Sequence, residues 1–151
     1  MGLRIQRILC PVDFSQAAEH ALAHAGELAQ TLRARLFVFH AVFEPLDVAG
    51  FHVPHIPMER FHGELQDAAR TELRGLCRRI LPRDVDYEVH TQVGRPFQAI
   101  IAFAREHEVD LIVLGTTGRD GVEHWVIGTT AAKVIRKASC PVLTIRPPEG
   151  A

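Results

Sequence analysis

Five short strand-like segments alternate with segments of helical period along this chain, and that alternation restricts the fold more than any other feature. The strand-like ones cover residues 4–10, 36–42, 85–91, 110–114 and 142–145. Between the first two, Ala18, Leu22, Ala25, Leu28, Ala29 and Leu32 recur at helical spacing. A second helical pattern starts around Glu59 and lasts to Ile80, with Pro82 as a stop. Phe97, Ile100, Ile101 and Ala104 share one face of a third, and residues 131–137 read as the last. Strict strand–helix alternation predicts an α/β fold: a parallel sheet, helices on both faces and right-handed crossovers. Residues 36–42 and 110–114 are nearly unbroken apolar runs, as strands covered on both faces must be. Residues 85–91 alternate instead, which predicts a place nearer a sheet edge. The 151 residues are expected to form one domain, 1–151, and an apolar fraction of 47% supplies its core.

In sheets of this kind ligands bind beyond the carboxyl ends of the strands, where strand order reverses. Two segments suit that place. One is Pro11-Val12-Asp13, after the first strand. The other is Gly115-Thr116-Thr117-Gly118, followed nine residues later by Gly128-Thr129 at the start of a helix. Glycines let backbone N–H groups approach an anion, and a helix N-terminus adds partial positive charge. If the first and fourth strands are neighbours, an acidic residue and a glycine-rich loop share one crevice. Either Asp13 or Ser15 would cap the first helix. A carboxylate repels phosphate, so a ligand role for Asp13 lies toward a base, a ribose or Mg2+. Thr129 and Thr130 offer hydroxyls to phosphate, and they read equally as helix caps. Arg95 and Arg119 stand at the rim as charges for phosphate, Arg119 being better placed. The loop is not of the GxxxxGK[ST] type, and no lysine lies within it.

These residues resemble the universal stress protein family. The resemblance runs through ILCPVDFSQAAEHAL (8–22), VGRPFQAIIAFAREHEVDLIVLGTTGRDG (93–121) and IGTTAAKVIRKASCPVLTIR (127–146). Its G-x2-G-x9-G-[ST] pattern is complete at Gly115, Gly118, Gly128 and Thr129. The resemblance implies a Rossmann-like five-stranded parallel sheet in the order 3-2-1-4-5. It also implies an ATP site, with ADP and AMP as alternatives and Mg2+ as companion. Pro11 and Asp13 would contact ribose and adenine, with Val12 between them. Ala41 and Leu114 would line the adenine slot, and Gly115 would approach the ribose. Gly118, Gly128, Thr129 and Thr130 would hold the phosphates, with Thr116 and Arg119 beside them. Family members dimerise through their last strands, here 141–146. The implied role is that of a dimeric stress-response regulator with an unknown protein partner; the alternative is a nucleotide-independent interaction module of the same fold. Catalysis is expected to be slow at most, since no general base and no arginine–lysine clamp stands beside the phosphates. Enzymes of the wider adenine-binding group need an SGGxDS or HxGH signature near the first strand, where this chain reads PVDFSQ. Trp125, with Glu123 and His124, makes the nine-residue spacer bulkier than the family's usual aliphatics. It would cap the pocket, pack on a partner or narrow the phosphate loop.

Composition removes other classes. The net charge is −1 and the arginines are scattered, which argues against nucleic acid as a partner. No apolar run is long enough for a membrane span, and the N-terminus does not read as a secretory signal, so a cytoplasmic protein is expected. Cys10, Cys77 and Cys140 include no CxxC pair and read as reduced structural thiols. His52, His55 and His62 cluster around an irregular connection, 44–57, that reads as a flap or interface arm; no metal site is expected there. Arg70, Arg74 and Arg78 follow i, i+4 spacing and read as a solvated helix face.

Overall fold

The first strand sends alternate side chains to opposite faces of a sheet: Ile8 and Cys10 to one, Leu9 to the other, all three fully buried. A strand buried on both faces must lie at the centre, and this one does. The computed structural model describes residues 2–43, 58–117 and 127–148. Its strands are β1 (Arg7–Pro11), β2 (Arg35–Val42), β3 (Tyr87–Val93), β4 (Leu111–Gly115) and β5 (Val142–Ile145). They alternate with helices α1 (Gln16–Leu32), α2 (Met58–Ile80), α3 (Pro96–Glu106) and α4 (Thr129–Lys137). All neighbouring strands are parallel, and the order is β3-β2-β1-β4-β5. The parallel sheet is what the alternation predicts, and the 3-2-1-4-5 order is what the resemblance implies. Gly118, Arg119, Glu123, His124 and Trp125, with His52 and His55, lie outside the described residues.

Each face of the sheet has its own core. On one face α1 and α2 bring Ala18, Leu22, Ala25, Leu73, Leu76 and Cys77 onto Ile8, Cys10, Leu36, Val38 and Val113. On the other, α3 and α4 bring Ile100, Phe103, Ala104, Ala131 and Val134 onto Leu9, Phe37, Phe39, Ile112 and Leu114. The first helix packs through small residues, the second face through aromatics.

Helix ends follow local chemistry. Ser15, not Asp13, caps α1: its side chain accepts the Ala18 N–H at 3.1 Å. Arg33 closes α1 in the left-handed conformation and returns its N–H to the Ala29 and Gln30 carbonyls. β1 and β3 start two to three residues later than the apolar runs predict, because pairing rather than apolarity sets strand limits. At the amino end of the sheet, Asp110 accepts the backbone N–H groups of Gln6 and Arg7 at 2.8 and 2.9 Å. That strap fixes β1 against β4 at the end opposite the crevice.

Candidate functional site

Strand order reverses at β1: the chain proceeds through β2 and β3 to one edge, then returns to β4 on the other side. β1 and β4 are direct neighbours, with Ile8 and Leu9 opposite Leu111 and Ile112. The segments following both strands therefore flank one switch point.

The first wall of this crevice is the turn from Pro11 to Ser15. Val12 is buried, and its N–H donates to the Phe39 carbonyl at 2.7 Å. The Asp13 carboxylate accepts the Ser15 N–H at 3.0 Å, which bends the chain into α1. Phe14 between them has φ of +62°, the left-handed region. For a bulky side chain that conformation costs roughly 1–3 kcal/mol and survives only where neighbours over-determine it. Three hydrogen bonds of about 1 kcal/mol each, donated by the backbone N–H groups of Val12, Ser15 and Ala18, offset part of that cost. His40 adds two further contacts: its Nδ1 lies 2.6 Å from the Val12 carbonyl, and its ring centroid is 4.6 Å from that of Phe14.

The second wall runs from the end of β4 to the start of α4. Gly115 leaves little room for a side chain: a Cβ there would lie 3.0 Å from the Ala17 carbonyl oxygen and 3.1 Å from its carbon, so α1 would have to give by a few tenths of an ångström. The packing of β4 on α1 thus favours glycine here, whatever it offers a ribose. Thr116 is 7% exposed; its N–H donates to the Ile145 carbonyl at 3.2 Å and its own carbonyl accepts the Gly128 N–H at 2.6 Å. Gly128 thus spends its N–H on the Thr116 carbonyl rather than on an anion. The Thr116 hydroxyl is buried and has no hydrogen-bond partner among the described residues. Gly128 is the N-cap of α4, at φ −62°, and no side chain caps the helix. The N–H groups of Thr129, Thr130 and Ala131 make no bond among the described residues, and the two threonines are exposed. Among the described residues, a buried hydroxyl without a partner thus adjoins an uncapped helix end, an arrangement that suits an anion.

The other candidates divide. Ala41 and Leu114 belong to the same core, Leu114 buried and Ala41 half-buried, so the two slot residues do share a face of the sheet. Pro11 is half-buried at the end of β1. Arg95 follows the edge strand β3, with β2 and β1 between that strand and β4, and is the N-cap of α3. The chain's two lysines, Lys133 and Lys137, lie over the Phe97 ring at 4.8 and 5.6 Å. Arg74, read as part of a solvated face, is exposed and borders a shallow groove with Tyr87, Glu88, Val89 and His90. No group of three potential metal ligands occurs among the described residues. The thiols are held protonated by burial: Cys10 is pushed far up, with Cys77 adding to the effect, Cys77 is raised to about 11, and Cys140 is raised as well. Burial therefore lowers the thiolate fraction of all three. No helix among the described residues is long and apolar enough to cross a membrane.

Two site residues escaped sequence reasoning. Ala17 favours glycine at position 115 from the far side of a helix–strand contact, which no local pattern encodes. His40 had a signal: it is the lone polar residue in the apolar run 36–42.

Comparison with known proteins follows the geometry. Residues 4–146 match a family model described as the universal stress protein family. A universal stress protein of Thermus aquaticus is 35% identical over 144 residues, covering 92% of this chain and 97% of its own. The solved structure of the universal stress protein UspA from Lactobacillus plantarum superposes with a TM-score of 0.74 at 28% identity, covering 96% of this chain and all of that one. A universal stress protein solved in complex with cAMP shares the fold at a TM-score of 0.69 and 22% identity, covering 96% of this chain and 99% of that one.

Proposed function

The chain belongs to the universal stress protein family, and from that premise we propose that it binds an adenine nucleotide, ATP foremost, in the crevice between the carboxyl ends of β1 and β4. The observation that carries this reading is the second wall. Among the described residues the buried Thr116 hydroxyl has no partner and the adjoining start of α4 has no side-chain cap, and a phosphate supplies acceptors for the helix N–H groups. Thr129 and Thr130 would hold the phosphates, with Mg2+ entering alongside them. Ala41, Leu114, Pro11 and Asp13 would face the nucleoside. The cAMP complex of a protein with this fold agrees in ligand class.

The biological role that fits is stress-response regulation: nucleotide occupancy changes the surface offered to a protein partner. Assembly through β5 belongs to the same reading. β5 is an edge strand whose Leu143 is 41% exposed, and an apolar edge invites a two-fold partner strand. Light scattering that gave the monomer mass at high micromolar concentration would remove this part.

The binding test is calorimetric titration of the purified protein with Mg-ATP, ADP and AMP, beside Gly128→Asp. An aspartate at the N-cap satisfies α4 internally and repels phosphate, so folding is retained while ATP affinity falls by more than tenfold. Wild-type protein with no heat of binding and no rise in melting temperature at millimolar Mg-ATP would leave the nucleotide-independent interaction module in its place.

A further inference from the structure

We propose that His40 is a positioning residue for the nucleotide crevice: through the Val12 carbonyl and the Phe14 ring it holds the turn that presents Asp13, and so sets affinity at the nucleoside end. The inference rests on the adenine-nucleotide reading above. It starts from a conflict within the turn. Phe14 sits at φ +62°, where a bulky residue is strained, in a segment whose neighbours must hold it there.

His40 meets that turn at two points. Its Nδ1 lies 2.6 Å from the Val12 oxygen. A carbonyl can only accept, so Nδ1 carries a hydrogen and donates. On the other side of the strained peptide, its ring and that of Phe14 are tilted by 50° with centroids 4.6 Å apart. One side chain thus grips the residues before and after Asp13. The remaining contacts of the turn are backbone or local: Val12 N–H to Phe39, and Asp13 to the Ser15 N–H. His40 reaches the turn from another strand, β2, and stands one residue before Ala41, a candidate for the adenine slot. It is half-buried, so replacing it leaves both cores intact. A polar residue in an otherwise apolar strand is then explained by its grip on the neighbouring turn.

The test uses two variants and two readouts. His40→Leu keeps bulk and removes the donor. His40→Asn places an amide N–H near the position of Nδ1 and loses the ring. In the ligand-free protein, the Phe14 and Ser15 backbone NMR shifts are expected to move in His40→Leu and to move less in His40→Asn, which keeps the bond to Val12 and loses the ring contact. Adenosine affinity is expected to fall about tenfold in His40→Leu and to recover to within about threefold in His40→Asn. Inorganic tripolyphosphate, which probes the α4 end, is expected to bind all three proteins alike. Unmoved Phe14 and Ser15 signals in His40→Leu would overturn the clamp. A turn that moves while adenosine affinity holds would overturn its role in binding. Wild-type protein that binds neither adenosine nor ATP refutes the nucleotide reading and the binding role together, and the ligand-free spectra still decide the clamp.

Discussion

The two walls of the crevice are built on opposite plans. The Pro11–Ser15 turn meets its hydrogen-bonding needs internally: Val12 is tied to Phe39, Asp13 to Ser15 and Ser15 to Ala18. The wall from Thr116 to Thr130 leaves needs open, with a buried hydroxyl unpartnered and a helix start uncapped among the described residues. A closed network is shaped before a ligand arrives. An open one gains its partners from the ligand. On the nucleotide reading proposed above, affinity and shape would be assigned to different walls: the first would select by geometry, the second would bind by unmet polarity.

The largest expected effect bears on where the walls meet. Gly115→Val forces a side chain against the Ala17 backbone, 3.0 Å from where its Cβ must go. Overpacking of this kind costs about 2–3 kcal/mol, and urea unfolding should register it. Unchanged stability would mean that β4 and α1 are not rigidly apposed. Next comes the closed wall itself. Ser15→Ala removes the α1 cap and should cost about 1 kcal/mol in the same measurement. A loss within error would show that the turn is not held by its hydrogen bonds.

The open wall should respond with the opposite sign. Thr116→Val deletes a buried hydroxyl that has no partner among the described residues, so the ligand-free protein should be unchanged or more stable by up to about 1 kcal/mol. ATP should bind this variant several-fold more weakly. Destabilisation without ligand would expose a missed partner and erase the contrast between the walls.

The smallest effect belongs to a control remote from both. The His90 side chain bonds the Glu88 carboxylate and, with the charges of Arg35, His90 and His107, holds it below the ordinary carboxylate range against a smaller opposing effect of burial. A folded value below the unfolded one gives stability that is present above the unfolded value and is lost as pH falls through the folded one. Glu88→Gln should therefore lower the melting point slightly at neutral pH, by a few tenths of a kcal/mol at this exposed site, and the gap should close on acidification. A gap that widened toward acid pH would contradict this.

Much of this molecule was legible in its sequence. Strand–helix alternation is a periodic, local signal, and it led directly to the parallel sheet. The resemblance added the strand order, which periodicity does not carry. What could not be read were contacts made across the fold. Gly115 reads as a ligand glycine until Ala17 is seen against it. Asp13 and Ser15 are equal candidates for the cap until Asp13 is seen turned onto the Ser15 N–H. The left-handed Phe14 has no local signature, because its strain is balanced partly by His40 on another strand. Arg95 looks like a rim charge in a linear motif, yet two strands separate β3, which it follows, from β4.

The buried thiols have a kinetic consequence. Cys10 and Cys77 lie fully buried in the α1–α2 core, whereas Cys140 is half-buried beside β5. A maleimide in solution can alkylate the first two only during excursions that open that core, so their labelling rate counts openings rather than reactivity. At low reagent the count follows the equilibrium of opening, and at saturating reagent its rate. Native cysteines thus make the protein its own stopwatch, with Cys140 timing the edge and Cys10 and Cys77 timing the interior.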